Sequence, residues 1–413
     1  MQRNGAPPEH TGSDATPRQF RLVPPAITPL RATDIGAGCV GQLRGRGRDE
    51  FRRDVESFLD AESSATYTSF RRTLAGCFHE LAADTDRTDV LIPAFCSSDF
   101  PDAIEGVGLE PVRYDIDPET LSLDLPAVTE ALGQRPLAVV AVNVLGYSSP
   151  MAELAARCDA HDVPLVEALG YAFGTGYEGQ RLGTFGDCAV LNFQQGKPIP
   201  VGGGMVVSQR PEHCFGDDMR PAAAPNVTAL AGYTALGRPR PYYAYSRLRD
   251  ALDDAGRLGE RATTHPESKF DVAYDPPFAT ISNFQGAVAH RLFGRLADHR
   301  RRRARTAGRY ADALRDCGGV SVLDPIPGLS KLQYVRLPLA AETEALRDRL
   351  VAALDGVGVQ ATTLYDWPVL DSETFPGAAD LQRRILTLPT HPYVDEADRQ
   401  LIVDTVRRVV AAS

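Results

Sequence analysis

One lysine lies between a predicted strand and a cluster of glycines. Lys197 follows the run from Cys188 to Phe193, which is typical of a buried strand, and three glycines follow at 202–204. A lysine shielded from water in such a turn can lose its proton, and its amine then forms a Schiff base with a carbonyl carbon. The glycines would let a ligand approach the backbone closely. On its own the pattern also suits a surface lysine or an anion contact, so both interpretations stay open here.

The cysteines and histidines do not form a metal-binding pattern. The seven cysteines are scattered and include no C-x-x-C pair, and ligand-like spacing is absent from His79, His161, His290 and His299. The sequence therefore predicts no zinc site and no disulfide framework. We expect reduced thiols and a cytoplasmic location.

The elements that must position Lys197 alternate between strands and helices. Helical spacing appears around residues 51–59, 72–83, 125–132 and 151–161, and in the segment before Gly106. Strand-like runs cover 90–92, 111–115, 137–142, 164–167, 188–193 and 204–207. This alternation predicts an α/β fold with a mainly parallel sheet that carries helices on both faces.

The remaining chain divides into a tail, an irregular stretch and a second domain. Residues 1–20 predict a disordered tail, 21–275 a large α/β domain, and 276–413 an interdomain helix with a small C-terminal α+β domain. The stretch 211–277 is irregular and rich in proline and alanine. A single long helix is predicted over 282–315, and its basic run from Arg300 to Arg303 suits a solvated face or an interdomain pairing surface.

Composition excludes several classes of protein. The 413 residues include 44 Lys plus Arg and 54 Asp plus Glu, which gives a formal charge of −10. An acidic chain is a poor partner for nucleic acid. No apolar stretch is long and uninterrupted enough to span a membrane, and residues 1–20 have no apolar core for a signal peptide. We therefore expect a protein that acts on small molecules, with no nucleic acid or membrane partner.

Several motifs resemble one family in order and spacing. They are Asp115–Asp124, Val166–Glu167 ahead of Gly174, Gly183–Asp187 with Asn192–Phe193 and Gly196–Lys197, Val201–Val207, Ile281–Ala289 and Ile385–Pro392. Together they resemble the DegT/DnrJ/StrS family of sugar aminotransferases, which depend on pyridoxal 5′-phosphate (PLP). The resemblance runs from about residue 50 to the C-terminus.

The resemblance implies a fold, a cofactor and a role for Lys197. It implies the fold-type I, aspartate-aminotransferase-like architecture, with a mainly parallel seven-stranded sheet in the large domain and a homodimer as the usual assembly. Lys197 stands where the family has the lysine that forms a Schiff base with PLP and then moves the substrate's proton. The dehydratase branch of the family has histidine at this position, so lysine favours a transaminase.

The chain departs from the family pattern beside the cofactor ring. Where the family reads E-D-A-A-Q, this chain reads Glu167, Ala168, Leu169, Gly170 and Tyr171. Ala168 replaces the aspartate that pairs with the pyridine nitrogen, and its loss should weaken the ring as an electron sink. Glu167 could substitute only if a bulge turned it toward the ring, because adjacent strand residues face opposite ways. Tyr171 could donate a hydrogen bond near the cofactor's 3-hydroxyl or merely pack.

The phosphate-binding positions differ as well. The family's Ser-Gly-Thr helix entrance appears here as Ser69 to Thr73, so Arg71 or Arg72 could contact the phosphate, although two solvated arginines are equally compatible. Asn192 replaces the serine before the lysine and could donate from its amide. Two further positions are altered: Phe278 lies near the place of an asparagine that reaches across the dimer, and Ser97 near that of an aromatic cover.

The sequence thus favours one function and leaves two alternatives. The favoured function is a PLP-dependent aminotransferase that moves an amino group from an amino-acid donor to a keto sugar carried on a nucleotide, with Lys197 as the Schiff-base lysine. The first alternative is a family member that has lost catalysis and serves as a binding or scaffolding protein. The second is a PLP enzyme with another type of reaction.

Overall fold

A computed structural model describes residues 20–211, 213, 215, 219–220, 224–254, 278–365 and 368–413. The predicted disordered tail, apart from Phe20, lies outside the described residues. So does much of the stretch 211–277, although two of its segments form helices, Val227–Leu236 and Pro239–Asp254.

A seven-stranded sheet forms the centre of the larger part of the chain. Its strands are β1 Ser63–Tyr67, β2 Asp89–Pro93, β3 Glu110–Tyr114, β4 Ala138–Val142, β5 Leu165–Ala168, β8 Cys188–Asn192 and β9 Gly204–Ser208. Their spatial order is β1-β9-β8-β5-β4-β2-β3. The pairs β2–β3, β2–β4, β4–β5 and β5–β8 are parallel, and only β9 runs against its two neighbours. This confirms the predicted mainly parallel sheet.

Helices cover both faces of this sheet, as a parallel sheet requires. They are α1 Ala32–Arg44, α2 Gly47–Leu59, α3 Phe70–Leu81, α4 Asp99–Gly106, α5 Leu125–Leu132, α6 Met151–Ala160, α7 Val227–Leu236 and α8 Pro239–Asp254, with a 3₁₀ turn at Val144–Gly146. Two apolar clusters divide the strand side chains between them: Val166 and Ala168 belong to one cluster, and Leu165 and Leu169 belong to the other.

The predicted single helix over 282–315 is wrong, because the structure has two helices there. These are α9 Asn283–Phe293 and α10 Leu296–Leu314. The break falls at Gly294, a poor helix former, and at Arg295, whose guanidinium lies 2.6 Å from the buried carboxylate of Asp34.

The C-terminal part is built on a three-stranded antiparallel sheet of β10 Val320–Val322, β12 Arg336–Ala341 and β13 Ile385–Pro389. Its helices are α11 Glu344–Gly356, α12 Pro376–Arg384 and α13 Glu396–Ala411. A separate small sheet joins β11 Leu329–Ser330 to β6 Gly176–Tyr177 and β7 Gln180–Arg181. The strand β12 begins only at Arg336, since Tyr334 has a positive φ of 42°.

Residues 20–31, called the N-terminal strap below, run along the C-terminal part before the chain enters α1. Val23 forms a parallel bridge with Val359 and belongs to the apolar cluster of the C-terminal sheet and helices. The carbonyl of Pro24 lies 2.8 Å from Nε2 of the buried His391. Arg21 forms a salt bridge with Asp398. The predicted domain boundary at residue 275 stays a prediction. It does not account for the N-terminal strap, which precedes the large sheet in the sequence but contacts the C-terminal part.

Asp115 connects the large sheet to helix α12. Its two carboxylate oxygens accept hydrogen bonds from the backbone N–H groups of Gly377, at 2.8 Å, and Ala378, at 2.7 Å. These N–H groups lie in the first turn of α12, so Asp115 caps that helix from a distant part of the sequence. Only glycine fits at position 377, because a Cβ there would lie 1.9 Å from the carbonyl oxygen of Ile116.

Replacing Asp115 with alanine should lower the free energy of unfolding by about 1–3 kcal/mol, because two N–H groups at a helix start lose their acceptor. Urea unfolding measures the change. The exposed Asp159 is the control, and D159A should change the unfolding free energy by less than about 0.5 kcal/mol. Equal effects of the two variants would contradict the capping role.

Candidate functional site

Lys197 lies in the loop between β8 and β9, which is called the lysine loop below and covers residues 193–203. The backbone N–H of Phe193 donates to Gly203, and that of Gly202 donates to Phe193 at 2.7 Å, so the two ends of the loop are closed against each other. Gly196, just before the lysine, has a φ of 79°, which only glycine adopts without strain. The loop therefore has a defined backbone conformation at the lysine.

The side chain of Lys197 lies over the ring of Tyr171. The distance from Nζ to the ring centre is 3.4 Å, which is within the range of a cation–π interaction. Gly170 adjoins both side chains: a Cβ at that position would lie 3.9 Å from Nζ of Lys197 and 3.3 Å from Cβ of Asn192. The structure thus brings together Lys197, Tyr171 and Asn192, three of the six residues predicted for the site.

The amide of Asn192 is occupied within the lysine loop. Its oxygen accepts from the backbone N–H of Gln194 at 2.8 Å, and its nitrogen donates to the side-chain oxygen of Gln194 at 2.6 Å. Asn192 is buried at the end of β8. Its observed role is to shape the turn that leads to Lys197, and a contact with a cofactor stays a prediction.

Glu167 does not replace the missing carboxylate at Ala168, so the prediction that it binds the cofactor is corrected. The strand β5 continues without a bulge, and Glu167 and Ala168 face opposite sides of the sheet. The oxygens of Glu167 accept three backbone hydrogen bonds, from Gly183, Phe185 and Gly186, at 2.7–2.8 Å. Glu167 therefore holds the loop before β8.

Burial dominates the protonation of Glu167. The side chain is completely buried, and desolvation raises its pKa from 4.5 to about 7, although the three N–H donors act in the opposite direction. No basic side chain takes part in this shift. The carboxyl group thus titrates near neutral pH.

The two arginines of helix α3 have partners within the protein. Arg71, which is buried, lies 2.6 Å from Asp99 and 2.8 Å from Asp102. Its charge is therefore paired within the protein, and a phosphate contact by Arg71 stays a prediction. Arg72 donates to the hydroxyl of Thr68 at 2.8 Å, while Ser69 caps the helix by accepting from the N–H of Arg72. A phosphate contact by Arg72 stays a prediction.

The two other altered positions have ordinary packing or turn roles. The hydroxyl of Ser97 donates to Asp99 at 3.1 Å, and Phe278 packs edge-on against Tyr67. Two aromatic residues outside the predicted site lie close by: Phe95 and Tyr365 form an edge-to-face pair with centroids 5.1 Å apart. Burial, with a smaller contribution from Tyr171, raises the pKa of the Tyr365 hydroxyl.

Two more contributors to the site were missed. Thr28 of the N-terminal strap donates from its hydroxyl to the carbonyl of Lys197, and Arg303 of α10 donates to that same hydroxyl. No motif marks Thr28. The burial of Arg303 could be predicted from the sequence, because helical spacing places it on the face of α10 that holds Leu296, Ala307 and Tyr310. The basic run 300–303 is therefore not wholly solvated.

A family model for the DegT/DnrJ/EryC1/StrS aminotransferases matches residues 36–214 and 278–407, which is most of the chain. The chain belongs to this family. Lys197, Tyr171 and Asn192 all lie inside the matched segments.

Individual relatives and one solved structure agree with this assignment. The chain is 31% identical over 175 residues to GDP-perosamine synthase of Vibrio cholerae, covering 42% of this chain and 47% of that protein. It is 26% identical over 332 residues to dTDP-4-dehydro-2,3,6-trideoxy-D-glucose 4-aminotransferase of Saccharopolyspora spinosa, covering 78% of each. The crystal structure of the aminotransferase TlmJ from Streptoalloteichus hindustanus superposes with a TM-score of 0.73 at 23% identity, covering 95% of this chain and 99% of that one.

The extent of these matches differs between relatives. The match spans less than half the length of the Vibrio cholerae protein, and 32% and 27% of the lengths of two further curated relatives. The structural match shows the fold: the chain has the aminotransferase architecture, with a mainly parallel sheet in its larger part.

None of the helices in the described ranges combines the length and apolarity needed to cross a bilayer. Within the same part of the chain, no group of three or more His, Cys, Asp or Glu side chains is placed to hold a metal ion.

The raised pKa of Glu167 predicts a pH-dependent stability. A carboxyl group whose pKa is higher in the folded than in the unfolded chain stabilises the fold below the unfolded value of 4.5, and this contribution is lost as pH rises through about 7. Relative to E167Q, the wild type should therefore lose up to about 3 kcal/mol of unfolding free energy between these two pH values. Denaturant unfolding at several pH values measures the difference, and a difference that does not vary with pH would contradict the assignment.

Proposed function

We propose that this chain is a PLP-dependent aminotransferase that uses Lys197 as its reactive amine. The observation that carries the proposal is the placement of Lys197: its loop has a fixed backbone, and its Nζ lies at the carboxyl end of β5, beside Gly170 and Tyr171. In parallel α/β sheets, ligands bind at the carboxyl ends of the strands. Family membership supports the same reaction class.

The residues present fit the aldehyde end of PLP better than its ring-nitrogen end. Lys197 supplies the amine, and the lack of a side chain at Gly170 leaves a gap that a Cβ would fill beside Nζ. Ser69 caps helix α3, whose first-turn N–H groups suit a phosphate. At Ala168, however, the chain offers a buried methyl group in place of a carboxylate. PLP, when bound, would supply the electron sink that transamination needs.

The mechanism depends on how this chain's own residues control the amine. The Nζ of Lys197 lies 3.4 Å from the centre of the Tyr171 ring, a position that suits a cation on the face of an aromatic ring. In the proposed reaction Nζ leaves this ring face as a neutral amine, removes a proton from the substrate carbon and later returns it. Tyr171 thus provides a resting place for the protonated amine between turnovers.

We propose an amino acid as amino donor and a keto sugar carried on a nucleotide as acceptor. Support comes from the relatives: two whose names specify sugar products or substrates are similar to this chain over 175 and 332 residues. A non-catalytic binding role has less support, because it gives no reason for a lysine held at this edge of the sheet. A PLP enzyme with another reaction type would leave Lys197 in the same role.

A cytoplasmic location is part of the proposal. Six cysteines lie in the described part of the chain, and all six are free thiols: Cys39, Cys77, Cys96, Cys158, Cys188 and Cys317. Unpaired, mostly buried thiols are typical of proteins kept in a reducing compartment.

Lys197 should be the amine that captures PLP. The sequence has only three lysines, at 197, 269 and 331, so a peptide map assigns the label without ambiguity. After incubation with PLP and reduction with borohydride, we expect the pyridoxyl group on Lys197 at about ten times the level on Lys331 or more. A positioned amine reaches a tenfold higher rate when its activation free energy is lower by about 1.4 kcal/mol. K331A should keep this label and K197A should lose it. Equal labelling of all three lysines would overturn the proposal.

We also propose that the chain forms a homodimer, as the family resemblance implies. Helix α1 supports this: Val40 and Leu43 lie one turn apart, and 44% and 88% of their surfaces are exposed. Exposed large apolar residues that adjoin on one helix face favour an interface over a solvated surface.

Light scattering of the purified protein should give a mass of two chains, and L43E should shift it toward one chain, because a charge would be buried in the interface. V369E is the control, since Val369 is also exposed, at 79%, but lies outside the helices and strands. A wild-type protein with the mass of one chain would contradict the dimer.

A further inference from the structure

Arg303 is a completely buried cation without an acidic partner. None of its surface is exposed, and no carboxylate lies within salt-bridge distance of it in the described part of the chain. Burial lowers the pKa of its guanidinium to about 10. A buried charge that lacks a counter-ion is costly, so its retention at this place needs an explanation.

One hydrogen bond connects Arg303 to the rest of the protein. Its Nη2 donates to the hydroxyl of Thr28 at 2.6 Å, while Nε and Nη1 are buried without a partner. Within the described part of the chain, this side chain therefore makes its one hydrogen bond to Thr28 of the N-terminal strap.

The hydroxyl of Thr28 makes a second hydrogen bond, to Lys197. This hydroxyl donates to the backbone carbonyl of Lys197 at 2.9 Å. The direction of both bonds is fixed by chemistry, since a guanidinium can only donate and a carbonyl can only accept. The hydroxyl must accept from Arg303 and give its proton to Lys197. A hydroxyl that accepts a hydrogen bond from a cation donates a stronger hydrogen bond than a hydroxyl without such a partner.

Other contacts hold Thr28 in place between these two partners. Its backbone N–H donates to the hydroxyl of Tyr233 at 3.0 Å. Two residues earlier in the strap, Ala26 packs against the lysine loop, and a Cβ at Gly196 would lie 3.7 Å from its methyl group. Further back, Pro24 is bonded to the buried His391. The strap is thus anchored at Thr28 and on its N-terminal side.

We propose that Arg303 and Thr28 are positioning residues that fix the lysine loop so that the amine of Lys197 points toward the ring of Tyr171 and the substrate. This inference rests on the proposed function, because it concerns the placement of the reactive amine. Neither residue touches the reacting atoms. Arg303 reaches the lysine loop through the threonine hydroxyl, and that hydroxyl bonds to the backbone carbonyl of Lys197.

Thr28 offers a matched pair of variants. T28S keeps a hydroxyl that can make both bonds, whereas T28V has nearly the same shape and can make neither. The measured quantity is the rate at which PLP and borohydride label Lys197, divided by the rate for Lys331 in the same chain. We expect T28S to stay within about twofold of the wild type and T28V to fall about tenfold, which corresponds to the loss of the one hydrogen bond that holds the carbonyl of Lys197.

Arg303→Met should lower the same ratio, because the hydroxyl then loses the donor that directs it. Arg347→Met is its control: Arg347 is also a buried arginine on a helix, but its partners are Glu344, Asp348 and the carbonyl of Gln382. Unfolding free energies measured in parallel separate a loss of folding from a loss of positioning.

The outcomes distinguish the two proposals. If Lys197 of the wild type is not labelled in preference to Lys331, the proposed function fails. If wild type, T28S and T28V label Lys197 at the same relative rate while Lys197 remains preferred, the positioning role fails and the proposed function stands. A loss in T28V that T28S restores supports the positioning role.

Discussion

The hydrogen bond from the hydroxyl of Thr28 to the carbonyl of Lys197 joins three distant parts of the chain. It connects the N-terminal strap, helix α10 through Arg303, and the lysine loop between β8 and β9. A single amine can serve as a reactive group only if its backbone does not move, because small misplacements lower the rate of a reaction steeply. The sheet positions the start of the loop, and the strap fixes its middle.

The alternation of strand β5 explains how the site differs from the family pattern. Adjacent residues of a strand face opposite ways, so the carboxylate of Glu167 serves the loop before β8 while the methyl group of Ala168 lies on the other face of the sheet. Three backbone N–H groups satisfy Glu167, and turning it around would leave them all unpaired in the interior. The site therefore has a well-placed amine but lacks a carboxylate for the ring nitrogen.

Local sequence patterns predicted the sheet and most of its helices, because buried strands and amphipathic helices each have a characteristic period. Lys197 was also accessible, since a strand followed by glycines marks its loop. The two helices α9 and α10 were predicted as one because the apolar period continues across Gly294, and only the contact of Arg295 with Asp34 shows why the chain turns there. The roles of Thr28 and Arg303 depend on contacts across 275 positions of the sequence, which no local pattern encodes. Helical period alone did place Arg303 on the buried face of α10.

The central claim is that this chain holds one amine, Lys197, ready to bond the aldehyde of PLP although Ala168 offers the ring nitrogen no partner. The most direct measurement is a crystal structure of the protein grown with PLP. The account predicts electron density that continues from Nζ of Lys197 into the cofactor, with the ring near Gly170 and Tyr171 and the phosphate at the start of helix α3. Clear density for Lys197 still resting on the ring of Tyr171, with no cofactor beside it, would contradict the claim.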